Sequence, residues 1–184
     1  MNIWHDISPA RIKPASFYAV IEISKGSKNK YELDKETGML KLDRILYTST
    51  HYPANYGFIP RTYAQDDDPL DVLVLCSEPI IPASIVSCRP IGVLSMLDEG
   101  FTDHKIIAVP EHDPVYTGCN SIADLPHHIS DEMRHFFSVY KTLECKVTAI
   151  ESVGNVDAAL KIIENDMAVY QQKLLNGDFY NAKF

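Results

Sequence analysis

The sequence predicts a mainly β protein, a small closed barrel with two flanking α-helices. Two observations predict it. Through the first two thirds, short β-branched and aromatic runs are separated by Gly and Pro, the pattern of many short strands joined by tight turns. In the last third the period changes from alternation to apolar residues three and four apart, as on one face of a helix. A chain of 184 residues suits one domain, 1–184, with the barrel core over about residues 17–150 and the C-terminal helix over about residues 156–175.

Residues 17–23 read as the first strand, with Tyr18, Val20 and Glu22 on one face. Lys25-Gly26-Ser27 turns the chain into residues 30–34, whose charges alternate onto one side. After Thr37-Gly38, residues 39–46 form another strand, in which Arg44 interrupts an apolar stripe of Leu40, Leu42 and Leu46. Residues 47–61 carry Pro53, Asn55-Tyr56-Gly57 and Pro60, and read as a loop or twisted hairpin. Residues 70–75 are a buried strand. Short strands follow around Ile85-Val86, over residues 91–97 and over 105–109, bracketed by Pro79, Pro82, Pro90 and Gly92. Ile129, Met133, Phe136, Phe137 and Tyr140 make one helical face, with Ser130 as N-cap. Residues 144–150 are a further strand. Asn155 caps the last helix, whose face is Val156, Leu160, Ile163, Met167, Tyr170 and Leu174, and Asn176-Gly177 stops it.

A hydrophobic fraction of 46% excludes a disordered chain. The net charge of −8, without a basic tail, argues against a nucleic-acid partner held by generic electrostatics. It leaves room for a phosphorylated substrate, because bound Mg²⁺ inverts the local field. Cys76, Cys88, Cys119 and Cys145 show no zinc spacing and read as reduced, mostly core thiols. Residues 1–14 lack an apolar leader, and nothing approaches membrane-spanning length. The expectation is a soluble cytoplasmic protein without a membrane partner.

The most informative stretch is Asp66-Asp67-Asp68-Pro69-Leu70-Asp71, which runs straight into Val72-Leu73-Val74-Leu75. Four carboxylates crowd into six residues at a strand entrance. Their repulsion is costly unless protons or cations offset it, and hard divalent ions take such oxygen ligands. Asp98, Glu99 and Asp103 repeat the pattern after residues 91–97. The same residues also suit solvated acidic turns, since Asp and Pro are ordinary turn formers. Arg44, on its apolar face, needs a carboxylate or a phosphate. Lys30 and Glu32 share a face near it. Tyr52 and Tyr56 flank a turn and could donate to phosphate oxygens or simply pack. Tyr140-Lys141 closes the first helix with another donor and a cation. His127-His128 has no zinc-site companions, and neither a phosphate-binding glycine loop nor a serine elbow is present. The set points to metal-dependent phosphoryl transfer.

These residues carry a specific resemblance. Residues 66–74 follow the signature D-x-D-P-x-D-V-L-V at every fixed position. Tyr31-Glu32, Asp43-Arg44, Tyr52-Pro53-Ala54-Asn55-Tyr56-Gly57-Phe58-Ile59, Arg89-Pro90-Ile91-Gly92-Val93-Leu94, Asp98-Glu99, Asp103, Lys105, His135-Phe136-Phe137 and Tyr140-Lys141 match in order. Together they resemble the family I soluble inorganic pyrophosphatases of the short prokaryotic type, over most of the chain. Asp67 stands where the family often has Gly and receives no ligand role. Residues 112–120 and 145–150 depart from the family pattern, away from the matched site positions.

The resemblance implies a fold and a chemistry. The fold is a five-stranded closed barrel of the oligonucleotide-binding (OB) type with helices outside, assembled into a hexamer. The reaction is Mg²⁺-dependent hydrolysis of pyrophosphate to two orthophosphates, with several ions per site. Asp66, Asp71, Asp98, Asp103 and Glu32 hold metal. Asp68 orients and deprotonates the nucleophilic water. Lys30, Arg44, Tyr56, Tyr140 and Lys141 bind the phosphoryl groups, and Glu22, Tyr52, Glu99 and Lys105 support the site. Two other readings stay open: a hydrolase of nucleoside polyphosphates or tripolyphosphate, and an OB-type nucleic-acid-binding module, for which the acidic candidate face is a poor fit.

Overall fold

A computed structural model of the chain describes residues 2–181. In order, its strands are β1 (Ile12–Lys13), β2 (Ser16–Ile23), β3 (Asn29–Leu33), β4 (Leu40–Ile45), β5 (Asn55–Phe58), β6 (Asp71–Val74), β7 (Ile85–Asp98), β8 (Phe101–Pro110) and, after helix α1 (His127–Val139), β9 (Thr148–Gly154). Helix α2 (Val156–Asn176) and the single turn α3 (Asp178–Asn181) complete the chain.

The strands correct the expected five-stranded closed OB-type barrel. They form a seven-stranded mixed sheet in the order β1-β2-β5-β6-β8-β7-β9, whose terminal strands β1 and β9 do not pair with each other, while β2 also pairs with β7. β3 and β4, read from sequence as part of the barrel core, form a separate two-stranded ribbon. Neighbours in the large sheet are antiparallel except β6 and β8, which are parallel. The reason lies in β7. A single strand of 14 residues replaces the two short ones expected, and it serves three partners. Its first residues pair with β2, residues 88–98 with β8 and its second half with β9. The register shift between Pro90 and Gly92 absorbs a proline that would otherwise break the ladder. The β2–β7 pairing curls the sheet around its interior.

Three other expectations change. Residues 47–61 hold a strand, β5, despite Pro53 and Gly57, and Gly57 is there for space. A Cβ on it would stand 1.8 Å from the Val20 carbonyl oxygen, so only glycine lets β5 lie this close to β2. α1 begins at His127 after Pro126, which leaves Ser130 inside the helix. The strand expected at 144–150 begins later, because Thr142–Glu144 makes a 3-10 turn and Cys145 sits in the left-handed region. α2 matches its sequence signals: Asn155 Oδ1 accepts from Ala158 N and Gly177 ends the helix at φ 76°.

The interior divides between the two helices. α1 lays Met133, Phe136, Phe137 and Tyr140 over Leu73, Leu94, Met96 and Ile107, while α2 lays Ala159 and Ile163 over Phe17, Val72 and Ile106. Each such large side chain contributes roughly 1.5–3 kcal/mol on burial. The expected stripe on β4 is not part of this: Leu42 is 49% exposed and only Leu46, past the strand, is buried. Of the cysteines, only Cys88 is fully buried, and Cys145 is exposed. Among the described residues no helix is long and apolar enough to cross a membrane.

One buried carboxylate lies outside any reading from sequence. Asp166 on α2 is 6% exposed, and burial pushes its carboxyl up to about 6, only partly opposed by a hydrogen bond from Asn165 Nδ2. Its unfolded value is about 4, so the folded chain favours the protonated form. The resulting penalty is absent below about pH 4, grows as pH rises to about 6, and reaches roughly 2–3 kcal/mol at neutral pH. Asp166→Asn is therefore expected to raise Tm at about pH 7.5 and to leave it nearly unchanged at about pH 4. Thermal melts at both values check this, and equal Tm gains at the two would contradict it.

Candidate active site

The site forms where β5, β6 and β8 present one edge. Asp71 opens β6, in register with Phe58 on β5 and with Lys105 on β8. Lys105 is 2% exposed, and its Nζ donates to Asp71 Oδ2 at 2.7 Å, to Asp103 Oδ2 at 2.9 Å and to Tyr56 Oη at 3.1 Å. Tyr56 Oη in turn donates to Asp71 Oδ2. Burial works against the Lys105 charge, but Asp103 and Asp71 outweigh it and hold the ammonium well above its usual range. Lys105 is thus the electrostatic centre of the site rather than an accessory to it.

The acidic turn before β6 is built rather than loose. Leu70 N donates to Thr62 Oγ1 at 2.8 Å, Ala64 N to the Asp68 carbonyl at 2.8 Å and Asp68 N to Asp66 Oδ1 at 3.2 Å. Asp67 sits at φ 66°, a left-handed position, which explains why the signature tolerates glycine there and why an Asp can replace it. Asp66 still meets solvent, yet desolvation beside its neighbours, then Asp71, Asp68 and Asp103, pushes its carboxyl up to about 6. Asp103 is also raised, by burial and by Asp71, with Lys105 opposing.

The facing wall comes from the β7–β8 hairpin and the end of α1. Asp98 is the last residue of β7, and Asp103 lies on β8 rather than in the loop expected from sequence. Glu99 and Gly100, at φ 51° and 93°, make the tight turn between them. Lys141, just past α1, donates to Asp98 Oδ2. Tyr140 is 4% exposed and stacked on Phe136, and burial raises its hydroxyl.

The β3–β4 ribbon closes the third side. Lys30 pairs with Glu32 and with Asp43, and Arg44 with Asp43 and, at 3.0 Å, with Glu144. Leu33 N donates to Glu22 Oε1 at 2.7 Å, which ties the ribbon to β2. Burial, then the Asp71 charge, pushes the Glu22 carboxyl up to about 8. Lys35, at the ribbon tip, pairs with Asp68.

Between these walls lies a cleft of about 500 Å³. Glu22, Lys30, Glu32, Tyr56, Asp66 and Asp68 line it, as do Asp71, Asp98, Asp103, Lys105, Tyr140 and Lys141. Three candidates do not reach its wall. Tyr52 is buried behind Tyr56, Glu99 faces outward with Lys146, and the Arg44 guanidinium lies beside the cleft against Glu144. Two residues that the sequence reading missed are Lys35 and Glu144. The first had only its place after a charged strand as a signal, and the second had none.

Comparison with known proteins agrees with this geometry. The family model described as "Inorganic pyrophosphatase" matches residues 19–171. The chain belongs to the inorganic pyrophosphatases. A soluble inorganic pyrophosphatase of Zea mays is 47% identical over 172 residues, covering 94% of this chain and 80% of that one. The structure of the Thermus thermophilus inorganic pyrophosphatase superposes with a TM-score of 0.86 at 38% identity, covering 93% of this chain and 99% of the other. That of the Helicobacter pylori enzyme gives 0.84 at 44% identity, covering 86% and 95%. Plant and bacterial pyrophosphatases thus both resemble this chain.

Membership of the pyrophosphatase family implies a divalent metal, and the residues fit one in kind. The donors are carboxylate oxygens, the hard ligands that Mg²⁺ takes. Asp98 Oδ1 is buried without a hydrogen-bond partner, which an acceptor tolerates poorly unless a cation or water meets it. Lys105 and Lys141 now occupy carboxylate oxygens in the cleft, and among the described residues no three ligand side chains form a ready-made cage.

Proposed function

We propose that this chain hydrolyses pyrophosphate to two orthophosphates in a Mg²⁺-dependent reaction. The observation that carries the reading is the meeting of Asp66, Asp68, Asp71, Asp98 and Asp103 with Lys30, Lys105 and Lys141 in one cleft of a pyrophosphatase-family chain. Pyrophosphate resists water because its charge repels nucleophiles. A site for it must offset that charge and deliver a deprotonated water in line.

Asp66, Asp71, Asp98, Asp103 and Glu32 would hold several Mg²⁺ ions, which when bound offset substrate charge and acidify water. Asp68 accepts the proton of the attacking water. Lys30, Lys141 and Arg44 donate to phosphoryl oxygens as charge builds on them, and the Tyr56 and Tyr140 hydroxyls add neutral donors. Lys105 donates to Asp71 and to Asp103 and holds the two carboxylates adjacent. Glu22, held to Leu33 N, braces the ribbon; Tyr52 braces Tyr56, and Glu99 shapes the hairpin end. No covalent intermediate is needed.

The whole chain is read as a single pyrophosphatase domain of the short type common in prokaryotes. In support, it covers 95% and 99% of two bacterial chains but 80% of the maize one. It is also read as a soluble cytoplasmic homo-oligomer, a hexamer, which sedimentation of a stable monomer at micromolar concentration would refute. The decisive experiment is phosphate release from pyrophosphate, ATP and tripolyphosphate with Mg²⁺ added and then chelated. Rapid, chelator-sensitive release from pyrophosphate alone is the expected result. Faster turnover of ATP or tripolyphosphate would overturn the substrate assignment.

A further inference from the structure

We infer that Glu144 is a positioning residue for the reaction proposed above, holding the Arg44 guanidinium in one orientation beside the substrate cleft. The inference rests on that functional reading. Arg44 is carried by β4, whose ribbon makes no ladder with the large sheet. Backbone pairing therefore does not fix where the guanidinium points relative to the carboxylates of β6, β7 and β8. Something else must do so, because a phosphoryl group is recognised by a planar fork whose direction matters as much as its charge.

Glu144 is placed for that task. Its Oε1 accepts from Arg44 Nε at 3.0 Å, across 100 residues of sequence, and the two side chains are 10% and 22% exposed. On the other edge of the same plane, Nη1 donates to Asp43 Oδ2. Two carboxylates thus grip two corners of a rigid plate that has five N–H donors, leaving its direction set and donors to spare. Burial alone would work against the Arg44 charge, and the hydrogen bonds that Arg44 donates to Glu144 and Asp43 more than restore it.

Glu144 is itself tied to the opposite wall. It ends the 3-10 turn that follows Lys141, and its N–H donates to the Lys141 carbonyl at 2.9 Å. Lys141 holds Asp98. One short turn therefore sets the relative places of two cations that arrive on different elements, Arg44 on the ribbon and Lys141 at the end of α1. An arginine held in one orientation gives up less rotamer freedom on binding substrate than a loose one does.

The test is steady-state hydrolysis of magnesium pyrophosphate by wild type, Glu144→Ala, Glu144→Gln, Arg44→Lys and the Glu144→Ala/Arg44→Lys pair, with Tm measured for each. Glu144→Ala is expected to raise KM about tenfold or more while kcat changes less than about threefold. Glu144→Gln keeps an acceptor for Nε and should raise KM by less. In the Arg44→Lys background, where no fork remains to be held, adding Glu144→Ala should change KM less than about twofold. KM within about twofold of wild type in the Ala variant, or equal effects in both backgrounds, would overturn the inference while leaving the pyrophosphatase reading intact. If the Ala variant does not fold, an unchanged KM in the Gln variant would overturn it. An inactive wild type would sink both readings at once.

Discussion

Asp71→Asn is expected to lower turnover of pyrophosphate by about a hundred- to a thousandfold at saturating Mg²⁺, the range seen when one preorganised charge-stabilising group is lost. The substitution keeps the shape of the side chain and removes its charge. Asp71 sits where three demands meet: it accepts from Lys105 and from Tyr56, and it is a proposed ligand shared between ions. An amide can turn its oxygen to both donors, since Lys105 and Tyr56 converge on one carboxylate oxygen, but it offers Lys105 no negative charge. It also deletes an anionic ligand. Lys105 keeps Asp103, so the fold should survive with a loss of about 1–3 kcal/mol, the worth of a charged hydrogen bond. Kinetics across a Mg²⁺ series, with circular dichroism and Tm alongside, check both parts. Near-normal turnover at high Mg²⁺ would remove Asp71 from the shared-ligand role.

The ribbon tip carries the same logic from the other direction. Lys35 pairs with Asp68 and also donates to the Asp67 carbonyl at 3.2 Å. Lys141 holds Asp98, and Lys105 holds Asp71 and Asp103. Each cluster of like charge in the cleft is met by a lysine from a different element. Such pairs can exchange partners, an ammonium turning from carboxylate to phosphate as metal and substrate arrive, which a rigid guanidinium fork does less readily.

What the sequence displayed and what it hid follow from the range of the interactions. The acidic run at 66–71 was legible because its chemistry is local: charges, a proline and an apolar strand in a row. Its turn geometry was partly legible too, since a position that is often glycine asks for positive φ, and Asp67 has it. α2 showed its cap, its face and its stop within one window. The errors arose where long-range pairing overrides local pattern. β4 alternates like a core strand, but it pairs with β3 alone and leaves Leu42 and Ile45 in solvent. β7 reads as two strands because Pro90 stands in it, and a bulge in the ladder joins them. The barrel expectation failed for the same reason, as strand partners are chosen between distant segments. Lys105 looked peripheral because a lysine in an apolar strand gives no hint of the three groups it meets. Glu144 carried no signal at all, since its partner lies on another element.

Asp68→Asn and Asp66→Asn should fail in different ways. Both residues belong to one turn, and Asp68 N donates to Asp66 Oδ1, so either change perturbs the other slightly. Their proposed tasks differ nonetheless. Asp66 is a ligand whose carboxyl is pushed up to about 6 by desolvation and by Asp71, Asp68 and Asp103. Without metal it takes up a proton as pH falls through about 6, and a protonated carboxyl is a poor ligand, so Mg²⁺ affinity should weaken on that side. Asp66→Asn should therefore act through affinity, and excess Mg²⁺ should recover part of its activity. Asp68 acts on the water. Replacing it removes the proton acceptor while the ions stay bound, a loss of about a hundred- to ten-thousandfold in turnover for a general base. High Mg²⁺ should not restore it, and the acidic limb of the pH profile should change shape. Turnover measured against Mg²⁺ concentration at several pH values separates the two. Complete rescue of Asp68→Asn by Mg²⁺, with an unaltered pH profile, would make Asp68 one more ligand and leave the base to be found elsewhere in the cleft.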